Sequence, residues 1–170
     1  MRVALVGLMG AGKTRAGKVL AERLHWPYHD ADRLIEAQAG ESITEIFRSR
    51  GEAAFRGLET ECLRQLAQRE PPFVVSLGGG VVEQRANRVL LADRFAVVWI
   101  QIDPREAARR LAGKTDRPLL GTENPLEVLQ RLAARRSPHY YRVSDIQIPT
   151  TRDVRPEGLA ERIRVELLRR

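Results

Sequence analysis

Cysteine is almost absent from this chain: Cys62 stands alone among 170 residues, so no internal disulfide can form and the composition suits a reducing cytoplasm. Long apolar runs are absent as well. The longest, such as Phe95 to Ile100, falls far short of the ~20 residues of a membrane helix, and the N-terminus enters a strand pattern within three residues. Neither a signal peptide nor a membrane anchor is expected. Aromatic residues make up only 5%, too few to give a stacking platform for nucleic acid. Lysine is scarce too: Lys13, Lys18 and Lys114 are the only three among 29 basic residues, so the net charge of +7 is carried by arginine. Those arginines are spread along the chain, and no nucleic-acid partner is expected. Arginine binds phosphate and carboxylate bidentately, so small anionic substrates account for part of the excess and solvated helix faces for the rest. His25, His29 and His139 lack metal-ligand spacing. No repeat, low-complexity tract or linker interrupts the chain, and one domain over residues 1–170 is expected.

What the chain does have is Gly7-Leu8-Met9-Gly10-Ala11-Gly12-Lys13-Thr14, the G-x-x-x-x-G-K-[ST] pattern of a phosphate-binding loop. It follows the apolar run Val3 to Val6 and precedes an amphipathic helical pattern, the context its mechanism requires. Glycines let backbone N–H groups converge on phosphate oxygens, Lys13 reaches the β- and γ-phosphates, and Thr14 offers its hydroxyl to Mg²⁺. The helix opening there directs its positive dipole end at the anion. ATP or GTP is the expected co-substrate.

Strand and helix patterns alternate, which predicts a parallel sheet covered on both faces. Ala16, Val19, Leu20 and Leu24 share a helical face, Trp26-Pro27 ends that helix, and Tyr28 to Asp30 reads as a short strand. A second helix is expected near Asp32, broken at Gly40. Ser42-Ile43-Thr44-Glu45 has the spacing of a capping box, Gly51 interrupts, and a longer helix runs from about Glu52 to Glu70. Phe73 to Leu77 reads as a buried strand and Arg85 to Leu91 as a helix. Phe95 to Ile102 reads as the clearest central strand, and Pro104 opens a helix ending near Leu111. Residues 112–125 are polar and rich in Gly and Pro, long enough for a mobile lid. A helix from Leu126 to Arg136, a strand at Ile146 to Ile148 and a helix from Pro156 to Leu168 complete the pattern.

Ligands of open parallel sheets bind at the carboxyl ends of the strands. Asp30 and Asp32 stand there, and alternation along an extended backbone would put both carboxylates on one side. One could hold Mg²⁺, usually through water, and the other could take a proton from an attacking hydroxyl; a helix cap at Asp32 is the plainer alternative. Arg56 could bind a carboxylate, or could be an exposed helix arginine paired with Glu52 or Glu59. Gly78-Gly79-Gly80 allows close backbone approach to a ligand. Ser76 could help bind hydrated Mg²⁺. Arg117 in the lid could close on the transferring phosphate, and Arg136 could reach the same site, with Tyr140 packing nearby.

Together these residues resemble shikimate kinase, a small phosphate-loop kinase of the nucleoside monophosphate kinase structural family. The resemblance rests on G-L-M-G-A-G-K-T at 7–14, D-A-D at 30–32 and the stretch from Ser42 to Glu59. It continues with G-G-G at 78–80, R-P-L-L at 117–120 and R-S-P-H-Y at 136–140. It implies a three-layer α/β/α fold with a central five-stranded parallel sheet, a helical substrate-binding insertion at about 32–70 and a lid at about 112–125. It also implies ATP-dependent phosphorylation of the 3-hydroxyl of shikimate, in chorismate and aromatic amino acid biosynthesis, by a cytoplasmic monomer that needs Mg²⁺. On that resemblance Gly10, Ala11, Gly12, Lys13, Thr14 and Arg15 hold the phosphates, and Thr14 and Asp30 hold the metal. Asp32 binds shikimate hydroxyls and is the base, while Arg56, Arg136, Gly78, Gly79 and Gly80 bind shikimate. Arg117 closes over the phosphates, and Arg110 and Arg152, with Pro156, lie on the adenine side. The family often reads G-K-S-T where this chain has Lys13-Thr14-Arg15, and Ala-Asp where it has Ser144-Asp145. A kinase for another small metabolite such as gluconate is the nearest alternative, since fold alone does not choose the acceptor.

Overall fold

A computed structural model describes residues 1–112 and 124–169 of the chain; Arg117 and positions 113–123 of the expected lid lie outside the described residues. Its centre is β1 (Arg2–Val6), where alternation sorts the side chains onto two faces. Val3 and Leu5 join one core with α1 (Lys13–Leu24) and α7 (Pro156–Leu168). Ala4 and Val6 join the other, with α2 (Ala31–Ala39), α3 (Ile43–Gln68), α4 (Arg85–Arg94) and α6 (Pro125–Val143). A sheet buried on both faces favours β-branched and aliphatic residues at successive positions, and Val3 to Val6 of β1 are all of that kind. A third, smaller cluster joins Leu8 of the loop to α5 (Pro104–Leu111) and α6.

β3 (Phe73–Ser76) and β4 (Ala96–Ile102) flank β1, while β2 (Tyr28–Asp30) and β5 (Ile146–Thr150) form the edges. The order is β2-β3-β1-β4-β5, with every pair parallel. β1 is the middle strand, and β4, paired on both sides, is an interior strand as its pattern predicts. Chain leaving β1 travels toward one edge and chain leaving β4 toward the other, which opens a crevice at their carboxyl ends.

Two local readings change in the structure and one holds. Asp30 is both the last residue of β2 and the N-cap of α2, its carboxylate accepting from the Arg33 N–H, so Asp32 lies in the first helical turn. Strand alternation does not bring the two carboxylates together; the strand-to-helix turn does. The break expected at Gly51 is present: α3 starts at its Ser42–Glu45 capping box, leaves helical geometry at Gly51, whose φ of 78° is left-handed, and resumes to Gln68. α6 does not end at Arg136 but continues through Pro138 to Val143. A helix-interior proline costs about 3 kcal/mol, and burial of Leu132, Tyr140 and Val143 on one face offsets it.

Candidate active site

A cleft of about 660 Å³ opens at the carboxyl ends of the strands. Its floor is the phosphate-loop segment Met9 to Arg15. Gly10 and Gly12 have φ of 82° and 94°, a conformation other residues rarely adopt, and the turn delivers the chain into α1 with Gly12 as N-cap. First-turn N–H groups of α1, which lack helical acceptors, therefore face the cleft. Lys13 Nζ donates to the carbonyls of Gly7 at 2.9 Å and Leu8 at 3.0 Å, so its charge lies along the loop.

Beside the loop, Thr14 Oγ1 donates to Asp30 Oδ2 at 3.2 Å and the Tyr28 hydroxyl to the same oxygen at 3.3 Å. Burial, with the charge of Asp30 adding to it, pushes the Tyr28 phenol up to about 12 against the pull of Ser76 and Thr14. It stays a donor at neutral pH. Tyr28 can lie here because position 17 is glycine: a Cβ there would come within 2.8 Å of the Tyr28 ring and 3.0 Å of Leu5 and Ser76. Asp32, Ser76, Gly78 and Gly79 line the adjoining wall.

The opposite wall is Arg110, Leu111, Thr150, Arg152, Arg155 and Pro156 with the apolar Val154 and Leu159. Arg110 joins three elements: it donates to Glu106 at 2.8 Å, to the Gly10 carbonyl at 3.3 Å and to the Thr151 carbonyl at 2.6 Å. Hydrogen bonds from Arg109 and then Arg110 hold the Glu106 carboxyl down at about 2.

Arg56, Gly80 and Arg136 do not line this cleft; they stand behind its Gly78–Gly79 wall. Arg56 is 7% exposed and Arg136 1%. Arg56 pairs with Glu59 at 2.8 Å and Glu52 at 2.9 Å, so the helix pairing open from sequence is present, but on a buried side chain. A Cβ on Gly80 would collide with the Arg56 guanidinium, and one on Gly79 would lie 3.4 Å from Arg136 Nη1. Arg136 Nε donates to Glu83 at 2.5 Å, while its Nη2, also buried, has no hydrogen-bond partner among the described residues. Tyr140 donates to the Gly79 carbonyl at 2.5 Å and packs on Trp99. Burial, with Asp32 adding to it, raises the Glu59 carboxyl above the usual range against the pull of Arg56 and Arg136. Asp32, Arg56 and Arg136 thus all act on one buried carboxylate.

Sequence reasoning missed Gly17, Tyr28, Glu83 and Arg155. Only Arg155 carries a readable signal: it directly precedes a helix N-terminus at the carboxyl end of a strand, where ligands of this sheet type bind.

A cleft floored by a phosphate loop, with buried guanidiniums against the glycine turn beside it, suits phosphoryl transfer to an anionic acceptor, and comparison with known proteins names the acceptor. The family model "Shikimate kinase" matches residues 9–167. A shikimate kinase of Symbiobacterium thermophilum is 40% identical over 163 residues, covering 95% of this chain and 93% of that protein. One from Synechococcus elongatus is 44% identical over 159 residues, covering 94% and 82%. The structure of shikimate kinase from Acinetobacter baumannii in complex with shikimate superposes with a TM-score of 0.94 at 37% identity, over 99% of this chain and 93% of that one. The chain therefore belongs to the shikimate kinase family, ATP-dependent phosphotransferases acting on a hydroxyl of shikimate.

Proposed function

We propose that this chain, as a single monomeric kinase domain of the cytoplasm, moves the γ-phosphate of ATP to the 3-hydroxyl of shikimate. The observation that carries the acceptor assignment is Arg136, a buried guanidinium with one nitrogen lacking a hydrogen-bond partner among the described residues. Such a donor costs at least about 1–3 kcal/mol unless something accepts from it, and the carboxylate of shikimate is the acceptor it fits.

Arg136 and Arg56 hold that carboxylate, with Gly78, Gly79 and Gly80 letting the ring approach the backbone. Asp32, in the first turn of α2, binds shikimate hydroxyls and accepts the proton of the attacking one. Lys13 exchanges its loop carbonyls for β- and γ-phosphate oxygens, and the N–H groups of Gly10, Ala11 and Gly12 bind the same anion. Arg15 lies beside them, and Arg110 and Arg152 bound the adenine end. Thr14 and Asp30 fit Mg²⁺, because a hydroxyl and a carboxylate 3.2 Å apart are hard oxygen donors that leave room for the waters this ion keeps. When bound, the ion would neutralise charge on the β- and γ-oxygens. Arg117 and the lid at about 112–125 close over the phosphates and exclude water.

The test is ADP release with Mg²⁺ and ATP in the presence of shikimate, gluconate or no acceptor. Stimulation by shikimate alone is expected. Equal or greater stimulation by gluconate would transfer the assignment to another acceptor.

A further inference from the structure

Arg136 is held by an acidic residue that the proposed chemistry does not use. Glu83 ends a short 3₁₀ helix, Val81–Glu83, that continues directly from the glycine turn. Val81 N–H donates to the Gly78 carbonyl at 3.2 Å and Glu83 N–H to the Gly80 carbonyl at 2.9 Å. α4 pins this segment from behind. Asn87, fully buried, donates to the Val81 carbonyl at 3.0 Å, and Arg88 donates to the carbonyls of Val82 and Glu83 at 2.7 and 2.8 Å. The carboxylate presented by this anchored backbone accepts from Arg136 Nε at 2.5 Å and, through the same oxygen, from exposed Arg135 at 2.8 Å. Burial works against its charge, but Arg136 and Arg135 outweigh that and hold the carboxyl below the usual range.

A guanidinium is planar, so fixing Nε fixes where its other two nitrogens point. Nη1 faces Gly79 and Nη2 is left without a partner among the described residues. We infer that Glu83 is a positioning residue for the acceptor carboxylate. It ties the orientation of Arg136 to the glycine turn, so that guanidinium and turn meet the acceptor as one rigid unit although 53 residues separate Glu83 from Arg136. Arg135, exposed, shares the same carboxylate oxygen from the surface. This inference rests on the acceptor reading of Arg136.

The test is calorimetric titration of the full chain with shikimate and, separately, with ATP and Mg²⁺, on wild type, Glu83→Ala, Glu83→Gln and Arg135→Ala, with Tm measured for each. Glu83→Ala is expected to weaken shikimate binding roughly 10- to 100-fold, as misaimed groups do, with ATP affinity unchanged. Glu83→Gln keeps an acceptor oxygen without the charge and should lose about fivefold. Arg135→Ala, an exposed partner, should change the affinity by less than about fivefold. Wild-type affinity in Glu83→Ala, or parallel loss of ATP and shikimate binding, would overturn the assignment. Should Glu83→Ala not fold, Glu83→Gln decides: a loss confined to shikimate upholds it and wild-type affinity overturns it. A wild-type chain that binds ATP but not shikimate would overturn the acceptor reading, and the role of Glu83 with it.

Discussion

At the nucleotide end of the cleft the anion-binding groups are backbone N–H donors of one contiguous loop, supplemented by Lys13. The groups proposed for the acceptor are instead two buried guanidiniums, Arg56 on α3 and Arg136 on α6. Backbone donors carry partial charges and need no counterions; their cost is conformational, met by glycines at positive φ. Full charges behind the wall need partners, because an unpaired buried charge costs several kcal/mol. Glu52 and Glu59 supply them for Arg56, and Glu83 for Arg136. The difference teaches that a phosphate site can be written in eight consecutive residues, whereas a buried carboxylate site needs a network drawn from several elements.

The largest effect expected is at the junction of the two ends. Asp32→Asn should lower turnover by a factor on the order of 10² to 10⁴, the usual share of a general base, while ATP binding persists in a direct titration. Unchanged turnover would remove Asp32 as base. Arg136→Ala comes next: truncating one partner of a buried charge pair costs about 2–5 kcal/mol, and the loss should appear in shikimate affinity and not in ATP affinity. A loss shared equally by both ligands would erase the distinction between the two ends.

Gly17→Ala sharpens the nucleotide side. In an open helix this change stabilises by up to about 1 kcal/mol. Here the new methyl meets Tyr28, Leu5 and Ser76, so a loss of about 1–3 kcal/mol is expected from overpacking. Urea unfolding measures it, and a stabilised variant would show that Tyr28 has room to move. The smallest effect concerns Glu83. Its folded-state pKa is depressed, so its contribution is present above the ordinary Glu value of about 4.3 and lost as pH falls below it. The side chain is partly exposed, so screening keeps the effect to about 1 kcal/mol or less. The Tm gap between wild type and Glu83→Gln should close between pH 5 and 3, roughly the range over which such a carboxyl titrates; a gap that widens on acidification would contradict the pairing.

Much of the nucleotide end was legible because each of its parts is local. The loop and the β1 pattern before it are set by near neighbours in sequence, as is the capping box that starts α3 on the acceptor side. Arg56 and Arg136 were found as candidates, but not what holds them: Glu83 has no periodic or motif signal, and Gly17 looks like any helix glycine. Asp30 and Asp32 were found as a pair for a reason the structure replaces, since a strand-to-helix turn brings them together. α6 continues past Arg136 although Pro138 is a local stop signal, and burial of Tyr140 and Val143 favours the longer helix.

The sequence by itself determined the phosphate loop, the alternation of strands and helices and the cap of α3, because backbone dihedrals and hydrogen bonds to near neighbours fix these. Tertiary structure alone decided that β1 is central, that Gly79 and Gly80 lie against Arg136 and Arg56, and that Glu83 faces Arg136. The reason is desolvation: a charge removed from water must find its partner wherever the fold brings one, and that choice is not recorded at either position.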